Sequence, residues 1–150
     1  MHAAERDRFD ALMAEALEAM PPKIHALVEQ VPVIVDDRPE GPLLKSLLIE
    51  FGIDERDTAE IEDFASTLCG LHSGVPMTER SVEESAGIPE DIHIFREGIV
   101  DLAGGWDPQE GETADDVDAA VYEEIMITVL HEIGHHFGLD EDQLAELGYD

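Results

Sequence analysis

The chain has 150 residues, of which 8 are Lys or Arg and 37 are Asp or Glu, for a formal charge of −29. That balance argues against a non-specific binder of nucleic acid or of anionic membrane, since both require clustered cations against phosphate. The length suits one domain over residues 1–150, and 43% hydrophobic residues with 5% aromatics allow a core built from Leu, Ile, Val and Ala.

In chain order, Phe9, Leu12, Met13, Ala16, Leu17 and Met20 recur at three- and four-residue spacing, so residues 4–20 read as an amphipathic helix that Pro21 and Pro22 end. Proline is tolerated in a first helical turn, which allows a second short helix over 22–30. Residues 31–37 are rich in β-branched side chains and read as a strand, with a turn over 38–42. Asp57 followed by Glu60 resembles a capping box, and Ile61, Phe64, Ala65, Leu68 and Leu71 predict a helix from there to about His72, stopped by Ser73 and Gly74. Cys69 falls on its apolar stripe with Ile61, Ala65 and Leu68, where a buried structural thiol is expected rather than a nucleophile. Residues 92–96 alternate as a short strand, and 101–116, with three glycines and six carboxylates, read as a solvent loop. From Val117, an apolar stripe of Ala120, Val121, Ile125, Val129 and Ile133 predicts a long helix ending near Gly138.

That helix carries His131-Glu132-Ile133-Gly134-His135. Histidines at i and i+4 share one helical face, so their imidazoles can converge on one zinc ion, while Glu132 is placed to serve a metal-activated water as general base and then general acid. The chain's own His and Glu content gives this pattern only about a 4% chance of arising at random. A third protein ligand is still needed. Asp140 and Glu141 follow the turn at Gly138, but Asp140 with Gln143 also reads as a capping box opening a helix over 141–147. Glu141 is therefore the favoured third ligand and Asp140 the alternative, with a residue elsewhere, such as Glu146, the remaining choice. His136 lies about 100° round the helix from His135 and reads as a supporting or surface residue. Glu124 and Thr128, one to two turns before His131, are candidates for orienting a ligand.

The run TVLHEIGHHFGL at 128–139, the segment LAELGY at 144–149 and GVPMTER at 74–80 resemble the small bacterial zincin-like metallopeptidase family, and the resemblance extends over nearly the whole chain. It implies an α+β fold of minimal zincin type, a small mixed sheet packed on helices with the active-site helix towards the C-terminus. It also implies bound Zn2+ and hydrolysis of a peptide or protein substrate. The position of Asp140 is commonly Ser in that family and the next one Asp or Glu, which suits a cap followed by a ligand. Zincins in general bind substrate along an edge strand, so the strand at 92–96 is the expected edge, with Ile92, Ile94 and Arg96 as substrate-binding residues. Only nine residues follow Glu141, so the specificity pocket is expected from the N-terminal part. Tyr122, Tyr149, Arg80, Arg96 and His136 are each candidates for an oxyanion donor.

Two other classes remain open on sequence alone. One is a zincin-like metal-binding regulatory or interaction module with little hydrolysis; the other is a purely structural zinc site, against which Glu132 argues because such a site has no use for a base. Calcium is disfavoured, since the acidic runs contain no EF-hand-type loop. The first ten residues lack the apolar stretch of a signal peptide and no run approaches the roughly 20 apolar residues of a membrane span. With Cys69 as the single cysteine, these features point to a cytoplasmic protein, monomeric or a small homo-oligomer.

Overall fold

A computed structural model describes residues 1–72 and 91–146. Helix α1 (Ala3–Glu18) buries Phe9, Leu12, Met13 and Ala16 on one face, the stripe expected from their spacing. Helix α2 (Pro22–Val28) begins with its proline in the first turn, where a missing N–H costs no helical bond. Strand β1 (Val33–Asp36) follows.

Helix α3 (Gly41–Glu50) replaces the turn expected over 38–42 and extends well past it. Pro42 opens this helix instead of breaking the chain, and Leu47 and Leu48 face inward. Helix α4 (Thr58–Thr67) starts at the anticipated cap, with the Asp57 carboxylate accepting from the Glu60 N–H at 3.1 Å. It ends five residues before His72, where the periodicity had placed its end. Leu68 turns extended, the Cys69 carbonyl accepts from the Phe95 N–H at 2.8 Å, and the chain enters strand β2 (Gly70–His72). An apolar run shorter than about eight residues suits helix and strand alike, and here pairing with the sheet prevails.

Strand β3 (Ile92–Phe95) runs directly into helix α5 (Arg96–Ala103), so the expected loop over 101–116 shrinks to 104–113. Thr113 and Asp116 then form a reciprocal capping box that opens helix α6 (Ala114–His136). Beyond it, Gly138 at φ +74° lets the Gly138 and Leu139 N–H groups return to the carbonyls of His135 and Gly134, closing the helix in a Schellman turn. Asp140 and Gln143 exchange bonds of 2.8 Å in each direction at the start of helix α7 (Glu141–Glu146), as their spacing predicted.

The sheet has the order β1-β3-β2, with β1 parallel and β2 antiparallel to β3. This corrects the expected edge, because 92–95 is the central strand, hydrogen-bonded on both sides. Ile92, Ile94 and Phe95 are fully buried. One core joins α1, α2, the sheet, α5 and α6, centred on Ile24, Ile92, Ile94, Ile99, Val121, Ile125, Val129 and Ile133. The architecture is α+β with a small mixed sheet, and none of the described helices is long and apolar enough to cross a membrane.

Candidate metal centre

The last two turns of α6 are anchored by Val129, Leu130 and Ile133, each at most 1% exposed, which fixes the opposite face outward. His131 and Glu132 are half-buried there and His135 is exposed. The two imidazole rings lie parallel to within 6°, with centroids 6.2 Å apart. Two imidazoles sharing a zinc at about 2.0–2.1 Å have ring centres roughly 5 Å apart, so small side-chain rotations close the gap. Both histidines also sit in the last turns of a 23-residue helix, whose negative dipole end favours a cation. The donor set therefore fits zinc at two positions.

The residues expected to supply a third ligand lead into α7, which packs back on α6. The Asp140 carboxylate accepts from the Gln143 N–H, so it is committed to the helix cap. The Glu141 side chain lies outside the described residues. Among the described residues, no three His, Cys, Asp or Glu side chains form a group able to hold a metal.

Strand β2 crosses directly over this part of α6. A Cβ on Gly70 would stand 2.8 Å from the His93 carbonyl oxygen, 3.1 Å from Thr128 Cγ2 and 3.3 Å from Glu132 Cγ. Only glycine allows so close an approach to backbone, and the isolated Gly70 in the apolar run Leu68–Leu71 was the sequence signal for it. Thr128, expected to orient a ligand, supports this contact with its methyl group. Glu132 and His135, with Gly70, Leu71 and the α3 residues Leu47 and Glu50 followed by Phe51, enclose a cleft of about 250 Å³. This wall lies beyond the turn read over 38–42, in a stretch to which the sequence reading assigned no element.

Cys69 borders the same region. Burial first, and then the charges of Glu124, Asp101 and Glu132, push its thiol above the ordinary value, which keeps it protonated and agrees with a structural role. It sits between α4 and β2 rather than on a helical stripe.

Other candidates are placed elsewhere. Arg96 begins α5 and donates to Asp10 and Asp37, so with Ile92 and Ile94 in the core the three expected substrate contacts are structural. His136 is 2% exposed, with Phe137 edge-on at 4.9 Å. Tyr122 lies ten residues before Glu132, about 15 Å along the helix, in a hollow formed with Glu15, Glu18 and Ala19. The run 74–80 with Arg80, and Tyr149, fall outside the described residues.

Two histidines and an intervening glutamate on one helix beneath a small mixed sheet are the arrangement expected of a zincin-like protein. The family model described as zincin-like metallopeptidase matches residues 28–149, and the chain belongs to that family. Comparison with curated proteins gives no match.

Proposed function

We propose that the protein is a zinc-dependent metallopeptidase that hydrolyses peptide bonds with water as the nucleophile and Glu132 as general base and then general acid. The observation that supports this best is the joint placement of Glu132 and His135 in the cleft under β2, with the His131 ring parallel to that of His135 at 6.2 Å. His131 and His135 as neutral imidazoles, with the Glu141 carboxylate, would hold the ion. Zinc, when bound, supplies a Lewis acid that polarises the scissile carbonyl and makes water acidic enough to deprotonate near neutral pH. The Glu132 carboxylate accepts the proton from the attacking water and delivers it to the departing amine.

The corrected edge strand supplies the substrate track. Among the described residues β2 pairs only with β3, so its other side offers main-chain N–H and C=O groups along which an extended peptide can lie. The pairing needs few side-chain contacts, consistent with flexible segments as substrates.

Purified protein is expected to carry about one zinc per chain, and chelation to abolish peptide cleavage. Glu132→Gln is expected to keep the zinc and to lose about 10²–10⁴-fold in kcat. Cleavage by that variant within threefold of the parent would overturn the mechanism. Stoichiometric zinc without turnover across a broad peptide library would assign the site to a metal-bearing binding module instead.

A further inference from the structure

We propose that the cleft beside Glu132 selects a large apolar side chain of the substrate and that Phe51, at the C-terminal end of α3, is the residue that selects it. This rests on the peptidase reading above and names the substrate class for the same site. Leu47, Phe51 and Leu71 line one cleft together with Glu132 and His135. Leu47 is 5% exposed and forms a fixed floor, whereas Phe51 is 59% exposed.

A single exposed aromatic is ordinary on a protein surface. Phe51 differs by its place in the wall of the cleft that holds the proposed base, where whatever covers it lies within reach of the chemistry. Its ring is already steadied from one side by Phe64, at a centroid distance of 5.4 Å and an angle of 48°. An incoming apolar group therefore gains contact without first ordering a loose side chain.

Size and charge narrow the occupant. The cleft volume of about 250 Å³ is below the roughly 300–1,000 Å³ of pockets that enclose a whole drug-sized ligand, so it accommodates a side chain and not a compact cofactor. Among the described residues its charged lining is Glu50 and Glu132, with no Lys or Arg, so an acidic side chain meets repulsion. What remains is a leucine- or phenylalanine-sized residue of an extended peptide held along β2.

The test uses blocked peptides that carry Ala, Leu, Phe or Glu at one central position, with binding to the zinc-loaded Glu132→Gln protein measured by fluorescence anisotropy. Leu and Phe peptides are expected to bind about tenfold more tightly than the Ala peptide, and the Glu peptide more weakly than Ala. Adding Phe51→Ala is expected to shrink the Leu-to-Ala ratio to about twofold, and Phe51→Leu to keep it near tenfold, with thermal melts confirming that both variants are folded. Equal binding of Leu and Ala peptides, no measurable binding of any peptide, or a ratio unchanged by Phe51→Ala would overturn the proposal. Cleavage by the unaltered protein is followed separately. Hydrolysis without apolar preference removes the selection by Phe51 and leaves the peptidase reading, while preference in binding without hydrolysis does the reverse.

Discussion

Residues 140 and 141 are the two neighbouring acids from which the third zinc ligand was expected. Asp140 is held by reciprocal bonds with Gln143, its backbone N–H donating to the Gln143 side chain and its Oδ1 accepting from the Gln143 N–H at the start of α7. Asp140→Asn preserves an acceptor for the cap and is expected to change zinc affinity less than threefold, whereas Glu141→Gln is expected to weaken it about 10–100-fold. Competition against a zinc-binding dye distinguishes the two, and the opposite ranking would make Asp140 the ligand. At Gly70, alanine would press a methyl carbon onto the His93 carbonyl and the Thr128 and Glu132 side chains. Because backbone lies on one side of that contact, Gly70→Ala is expected to cost about 1–3 kcal/mol, read as a lowered urea midpoint. An unchanged midpoint would mean that β2 can lift from α6 without penalty.

At the scale of elements, arginines tie the helices to the end of β1. The Asp37 carboxylate, just past that strand, accepts from Arg6 of α1 at 2.7 and 2.9 Å and from Arg96 of α5 at 3.1 Å. Arg38 joins Glu97 of α5 to Glu62 of α4. Three of the chain's six arginines thus line one hollow with His93, each already paired with carboxylates, so the cluster reads as a tie between elements. The Arg6 hydrogen bond, with further help from its charge and from Arg96, holds the Asp37 carboxyl below the usual carboxylate range despite partial burial. A lowered folded pKa means that the unfolded chain binds the proton first. The stabilisation is therefore present above about pH 4 and is lost as pH falls towards the folded value. Asp37→Asn is expected to cost about 1–2 kcal/mol at neutral pH, the lower part of the charged hydrogen-bond range because solvent reaches the site. It is also expected to flatten the fall in urea midpoint between about pH 5 and pH 2.5. Parallel curves for parent and variant would show that Asp37 carries no such linkage.

Across the whole molecule, a charge of −29 on 150 residues sets widespread repulsion against a handful of ion pairs. Screening weakens both, but the repulsive pairs are far more numerous, so the melting temperature is expected to rise as NaCl increases from low concentration to about 0.5 M. A flat or falling curve would count against that balance. The same field, with Glu50 and Glu132 in the cleft, is expected to favour neutral or basic peptides over acidic ones at low salt. Equal cleavage of matched Lys-rich and Glu-rich peptides would refute this.

The sequence by itself determined the features whose signal is local. The stripe of α1, the caps at Asp57 and Asp140, the turn at Gly138 and the parallel placement of the His131 and His135 rings all follow from neighbours within about one or two helical turns, where spacing dictates direction. Even the start of α6 was encoded in Thr113 and Asp116, a capping box within the acidic stretch read as loop. Tertiary structure decided which strand is central, where α4 yields to β2, and that α3 walls the cleft. Ile92–Phe95 alternates like an edge strand, yet its place depends on partners about 60 and 20 residues away. Strand order and the approach of β2 to Glu132 are settled by long-range pairing and by the burial of Ile92 and Ile94, energies that no short window of sequence contains.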